Sequence, residues 1–170
     1  GSLLSLMRCF SILLCSVLLG GVINATEHIY SDTMSQEQVE EVRAAYEKNR
    51  EKIEVFRKKE SLRYQKAQPA EKKEIVKEAR RELEKSLRKQ IFPAWYGTEW
   101  DFNGISAVPG KGKIACGYFV STCLTHLGIQ VSRIRLAQQP SQRIIETFMP
   151  KSQRKILAGG VSMDKIRAYL

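Results

Sequence analysis

Cys116 is the residue whose surroundings are best suited to chemistry. It stands in Ile114-Ala115-Cys116-Gly117-Tyr118-Phe119-Val120, after the turn-forming Pro109-Gly110-Lys111-Gly112-Lys113 and before an apolar run over residues 118–127. A turn followed by unbroken apolar residues predicts a helix that starts near the cysteine and stops at Gly128. In the first turn of a helix, unpaired backbone N–H groups and the positive end of the helix dipole favour an anionic, nucleophilic sulfur. Cys123 lies seven residues further along the same helix. Their Cα atoms would be about 10.5 Å apart, beyond the ~7 Å that a disulfide tolerates. Cys123 therefore reads as a core residue beneath the helix.

The other candidate groups lie just upstream, in Trp95-Tyr96-Gly97-Thr98-Glu99-Trp100-Asp101-Phe102-Asn103-Gly104. Trp95 and Trp100 either line a substrate groove or cap the core. Asp101 beside Glu99 offers two carboxylates, a pattern that on a loop is more often turn and ion-pair chemistry. A base for the sulfur is harder to find, because His28 and His126 are the only histidines. His126 follows Cys116 by ten residues, or about 15 Å of helix, whereas a general base works at ~3 Å. It reads instead as a surface residue at the helix C-terminus, favoured there by the dipole. Two distant histidines and no Cys-x-x-Cys give no metal-ligand set, and Gly110-Lys111-Gly112-Lys113 lacks the spacing of a phosphate-binding loop. No cofactor or metal is expected.

The elements that would position this site follow from periodicity. A chain of 170 residues, 43% hydrophobic, has enough apolar content for one domain with a helical appendage. Residues 33–90 are dominated by charge and helix formers. Ser35-Gln36-Glu37-Gln38 is a capping box, followed by Val39, Val42, Tyr46, Ile53 and Phe56 at helical steps. Pro69 suits a first helical position, and Ile75, Val76, Ala79, Leu83 and Leu87 then repeat at helical spacing. This predicts an antiparallel helical hairpin with solvated, charge-rich outer faces. At Ile91 the helical period gives way to tryptophans, glycines and prolines, so residues 91–112 read as loop and short strand. The alternation over 129–134 suggests a short strand or extended segment. Pro140-Ser141 and Pro150-Lys151-Ser152 open two more helices, and Ala158-Gly159-Gly160 precedes a last helical stretch over 162–170.

The first 25 residues form no part of that core. Met7-Arg8 introduces an apolar run over residues 9–23 that contains Gly20-Gly21, and Ala25 follows. Such a run spans about 22 Å, short of a ~30 Å hydrocarbon core, so residues 1–25 read as a secretory signal peptide. The residues before Met7 and the break inside a helical pattern at Leu170 read as the ends of an incomplete reading frame. A net charge of +10, or +9 without Arg8 of the leader, favours anionic surroundings. For an exported chain these are envelope polymers; no nucleic acid is expected, since no base-reading motif is present. Cys9 and Cys15 lie in the leader; in an oxidising compartment the two unpaired cysteines left, Cys116 and Cys123, are unusual, and a working thiol is a reason to retain one.

Cys116-Gly117-Tyr118-Phe119-Val120 resembles the nucleophile helix of NlpC-like, papain-fold cysteine peptidases, which cut bacterial cell-wall peptides and carry Asp-Cys-Ser-Gly-Phe-Val. Phe119 and Val120 match; Ala115 stands for the aspartate and Gly117-Tyr118 for Ser-Gly. Downstream, Gly128 and then Arg135-Leu136-Ala137-Gln138-Gln139 are similar to the family's Arg-x-Ala-x-Gln, and residues 95–104 to its Tyr- and Gly-containing loop. The resemblance covers residues 91–139. It implies attack by Cys116 on a peptide carbonyl, with backbone N–H groups and Tyr96 as oxyanion or orienting groups. Trp95, Trp100 and Asp101 would contact substrate, and the base would be a histidine on a later strand. The predicted fold is α+β: a signal peptide (1–25), a charged helical hairpin (33–90) and an incomplete, mostly helical papain-like domain (91–170). The exported periplasmic or extracellular product would then be a cysteine peptidase or amidase lacking its histidine. The alternative is a non-catalytic envelope scaffold that binds through its hairpin.

Overall fold

The computed structural model describes residues 35–154; the expected signal peptide (1–25) and last helix (162–170) lie outside them. The chain opens with α1 (Gln36–Lys66). Ser35 Oγ accepts from Gln38 N at 3.2 Å, and Gln38 Oε1 accepts from Ser35 N at 2.8 Å, so the capping box closes as its sequence predicts. Extended backbone at Ala67 and Gln68 ends that helix, and Pro69 takes the first position of α2 (Pro69–Ser86). Helical structure does not stop at Ile91, as the composition had suggested. A π-helical turn, Leu87–Ile91, leads into the one-turn α3 (Phe92–Ala94). Pro93 has no N–H to give to a helical partner, and its ring would press on the preceding turn. The widened turn directly before it, with Phe92 N–H reaching back to Leu87 O, removes that conflict.

Beyond α3 the chain forms β1 (Glu99–Trp100), β2 (Lys113–Ile114), α4 (Cys116–His126), α5 (Arg133–Ala137) and α6 (Ser141–Phe148), then a 3₁₀ turn, Lys151–Gln153. The two strands pair in parallel, Glu99 with Lys113 and Trp100 with Ile114, and Ile105 bridges Ile114 in antiparallel sense. Over the described residues the fold is α+β: mostly helical, with one small sheet. The alternating residues 129–132 join no sheet, and α5 begins at Arg133 instead of continuing them. No helix among the described residues is long and apolar enough to cross a membrane.

The hairpin shares its core with the rest of the chain. Tyr46 and Ile53 of α1, and Leu87, Ile91 and Phe92 after α2, form one buried cluster with Val120, Cys123, Leu124 and Leu127 of α4, Leu136 and Ile144. The inner face of α1 also carries arginines at heptad spacing. Arg43, Arg50 and Arg57 each pair with a glutamate three residues earlier, Glu40, Glu47 and Glu54. Seven-residue spacing keeps all three on one face, where the arginines are partly covered by the protein while their glutamates stay exposed. Arg57 packs where a side chain at Gly128 would be, and Gly128 holds φ +78. Gly128 N–H bonds Thr125 O at 2.8 Å and Ile129 N–H bonds Leu124 O at 3.0 Å, closing α4 with a Schellman motif. The hairpin's own interface is looser: Phe56, Glu60, Ile75, Val76, Ala79 and Leu83 line a groove of about 200 Å³ between α1 and α2.

These contacts rank three substitutions. Ile53→Ala, at a 4% exposed core position, should lower unfolding free energy by about 3 kcal/mol. Phe56→Ala, at the partly buried rim of the groove, should cost about half of that. Gly128→Ala should cost about 2 kcal/mol through positive φ and displacement of Arg57. Urea unfolding that places Phe56→Ala above Ile53→Ala would show the hairpin to be the tighter interface.

Candidate functional site

β2 delivers the backbone to Cys116. Lys113 and Ile114 lie between β1 on one edge and Ile105 on the other, and Ala115 N–H bonds Gly104 O at 2.9 Å. That approach needs glycine at 104, since a Cβ there would stand 2.5 Å from Ile114 N. Cys116 is the first residue of α4 and is partly exposed. Ala115 caps the helix in extended conformation (φ −85, ψ 157) and offers no side-chain acceptor to the first-turn N–H groups. An aspartate here would occupy one of those donors; alanine leaves them open to an anion from outside. Gly117 lies against the carbonyl oxygen of Ala137 so closely that any side chain would collide with it. The end of α5 is thereby locked onto the first turn of α4.

The side chain that reaches the sulfur is Trp100. Held in β1 opposite Ile114, it donates its indole Nε1–H to Cys116 Sγ at 3.2 Å while the residue remains 60% exposed. Tyr96, 48% exposed on the turn after α3, makes no hydrogen bond to the sulfur. Asp101 works within its loop: Oδ1 accepts from Asn103 N at 2.8 Å, and Oδ2 lies 3.9 Å from Lys113 Nζ. Glu99 pairs with the same lysine and is the main cause of that ammonium's raised pKa. The two carboxylates thus serve a turn and an ion pair. Trp95 is enclosed in the core at 4% exposure, with Nε1–H donated to Tyr46 Oη at 3.0 Å. Of the residues expected to meet a substrate, the structure brings Trp100 to Cys116, turns Asp101 toward its own loop and Lys113, and places Trp95 inside.

The long loop between the strands is stapled from both sides. Arg133 donates Nε–H to Thr122 Oγ1 at 2.7 Å and Nη2 to Ile105 O and Ser106 O at 2.8 and 2.7 Å, with its guanidinium over the Tyr118 ring. Arg43 reaches across from α1 to Pro109 O and Gly110 O at 3.2 and 2.8 Å. One arginine thereby ties α4 to the loop and the other ties the hairpin to it. Nothing in the local sequence around either residue announces this. Between the staples lies a shallow, open depression of about 550 Å³, lined by residues including Asp101, Gly104, Ile105, Val108 and Lys113; Cys116 is not in its wall.

Two titratable groups in α4 are held neutral. Burial pushes the Cys123 thiol well up and makes it an inert core residue. His126, expected at the surface, is partly buried, and its Nδ1 meets Tyr46 Oη at 2.7 Å. Burial, with help from Arg50 and Arg133, lowers its pKa to about 4. No group of three potential metal ligands occurs among the described residues. No protein-family model, curated protein or solved structure matches this chain.

Two measurements follow from this geometry. Iodoacetamide should modify Cys116 in the folded protein and Cys123 only after denaturation; equal labelling of the two by mass spectrometry would refute the contrast. Arg133→Lys keeps the charge but loses the fork. It should speed amide exchange at Ser106 and Ala115 about tenfold, since their bonds to Lys113 O and Gly104 O anchor the stapled loop.

Proposed function

We propose that the chain is an exported bacterial cysteine hydrolase of the NlpC-like, papain-fold kind, acting on peptide or amide bonds of cell-wall peptides. The observation that carries this reading is the pairing at Cys116: a partly exposed sulfur on an uncapped helix start, with the Trp100 indole N–H aimed at it. In the proposed reaction the Cys116 thiolate adds to the substrate carbonyl carbon. A C–S bond forms and the negative charge moves to the carbonyl oxygen. Open N–H groups of the first turn would be the donors to such an oxyanion. Trp100 is the nearest side-chain donor, a role the resemblance had given to Tyr96. Collapse of the adduct breaks the C–N bond and needs a proton for the departing amine; water then hydrolyses the thioester. His126, engaged with Tyr46 at the far end of α4, is not that acid. Among the described residues His126 is the sole histidine, so the acid–base group of this reaction is not among them.

Substrate would approach over the exposed Trp100, Phe102 and Ile105, an apolar rim suited to a peptide's aliphatic stem. The net charge of +10 supports residence among anionic envelope polymers. The test is affinity labelling, which needs the nucleophile and the peptide site but no base. A chloroacetylated cell-wall peptide should alkylate Cys116 about tenfold faster than chloroacetamide, the gain expected of a bound over a free reagent. Cys116→Ala should abolish labelling. Equal rates for the two reagents would reject peptide recognition and leave the non-catalytic scaffold, binding through its hairpin, as the better reading.

A further inference from the structure

We infer that His126 is an acid-sensitive latch: while neutral, its imidazole holds the helical hairpin against the helix that carries Cys116, and protonation releases that hold. The inference concerns hairpin docking and does not depend on Cys116 being a nucleophile.

An indole N–H can only donate, so in the bond from Trp95 Nε1 the Tyr46 oxygen is the acceptor. Tyr46 is 1% exposed, and its own O–H proton must also find an acceptor in the core. The neighbour in place is His126 Nδ1 at 2.7 Å. It can accept only as neutral imidazole, with the ring proton on Nε2. The chain Trp95→Tyr46→His126 is therefore directional, and it links α3's end, α1 and α4 through one buried hydroxyl.

Protonation at Nδ1 converts the terminal acceptor into a donor. Tyr46 Oη then faces two N–H donors, and its own proton is left without a partner, a costly state in a low-dielectric interior. The groups around the ring oppose the added charge as well. Arg50 of α1 and Arg133 of α5 both act on the imidazole to disfavour its cation. Arg57 of α1 packs against Gly128, just past the same helix end. Glu47 pairs with Arg50 and Glu54 with Arg57, so the nearby carboxylates are engaged by these arginines. Cys123 of α4 and Glu47 act on the Tyr46 phenol, whose ionisation burial already suppresses. The carbonyls at this helix end, which would welcome a cation, are closed by the Schellman bonds of Gly128 and Ile129.

The sign of the effect follows. The docked imidazole titrates at about 4, against 6.5 for a free one. Below 6.5 the released state takes up the proton first, so docking weakens as pH falls and levels off near 4. Across that window the docked-to-released ratio should drop on the order of a hundredfold.

The experiment uses the full chain carrying Trp100→Phe, which leaves Trp95 as the sole tryptophan at the junction. Its emission should shift to longer wavelength between pH 6.5 and 4 while far-UV circular dichroism keeps its helical signal. His126→Gln, which supplies an amide acceptor and does not titrate, should remove that shift. An unchanged shift in His126→Gln, or none in the parent over this window, overturns the latch. Should His126→Gln fail to fold, proton NMR of His28→Gln reads the remaining imidazole directly. A titration midpoint below about 5.5 supports the latch, and one near the free-imidazole value overturns it.

Discussion

The position of one buried hydroxyl governs the assembly of this protein. Tyr46 lies at 1% exposure with a donor on one side and an acceptor on the other, and a core position leaves it no water to substitute for either. Satisfying both bonds fixes the rotation of α1 about its axis relative to α3 and α4. Once Tyr46 is placed, heptad spacing determines what else α1 presents inward: Arg43 toward the strand-connecting loop, Arg50 beside the imidazole, Arg57 under Gly128. The edge-on contact of Tyr46 with Trp95, ring centroids 6.2 Å apart, and the apolar cluster around them supply the attraction. The hydrogen bonds supply the orientation.

The same constraint reaches the cysteine by an indirect route. A sheet of two residue pairs is too short to hold its own geometry, and the connection between its strands is long and carries exposed apolar residues, Phe102 and Ile105 among them. Order comes from outside it, from Arg43 anchored in α1 and Arg133 anchored in α5, which satisfy backbone carbonyls at two points within the loop. Charged donors on carbonyls are stronger than neutral ones, so a few such bonds suffice. Gly104 and Gly117 then let backbone meet backbone on either side of Cys116. The sulfur's location is thus set by residues far away in sequence, although its place on the helix start is a local matter.

That division explains what could be read from the chain. The start of α4 at Cys116, its stop at Gly128, the capping box at Ser35 and the role of Pro69 rest on nearest-neighbour stereochemistry, and all are visible in a few consecutive residues. The arginine heptad was not: glutamate three residues before arginine is equally the pattern of a solvated helix face, and only the tertiary partner separates the two. His126 shows a local argument overruled. A histidine at a helix C-terminus is favoured as the cation, yet burial and two arginines from other elements reverse the preference. Trp95 and Trp100 are five residues apart and chemically identical, but one ends a helix facing the core and the other stands on a short strand facing solvent. The π-helical turn before Pro93 carries helical structure up to Trp95, and sequence periodicity does not register it. The α+β class was legible; the papain-like identity of the core rests on a resemblance in residues 91–139 and belongs to the proposed function.

The two ends of α4 are restrained by different means. The helix has 11 residues and so acts as a rod of about 16 Å, too short to bend appreciably and well packed along its middle by Val120, Cys123 and Leu124. At the N-terminus, backbone contacts at Gly104 and Gly117 resist translation but bear on only the first turn. At the C-terminus, the Tyr46–His126 bond and Arg57 against Gly128 resist tilt. Trp100, largely exposed, is joined to the N-terminal end by its bond to Cys116. The helix thus lies between two sets of restraints: backbone contacts that place the sulfur, and a hydrogen-bonded junction that seats the hairpin.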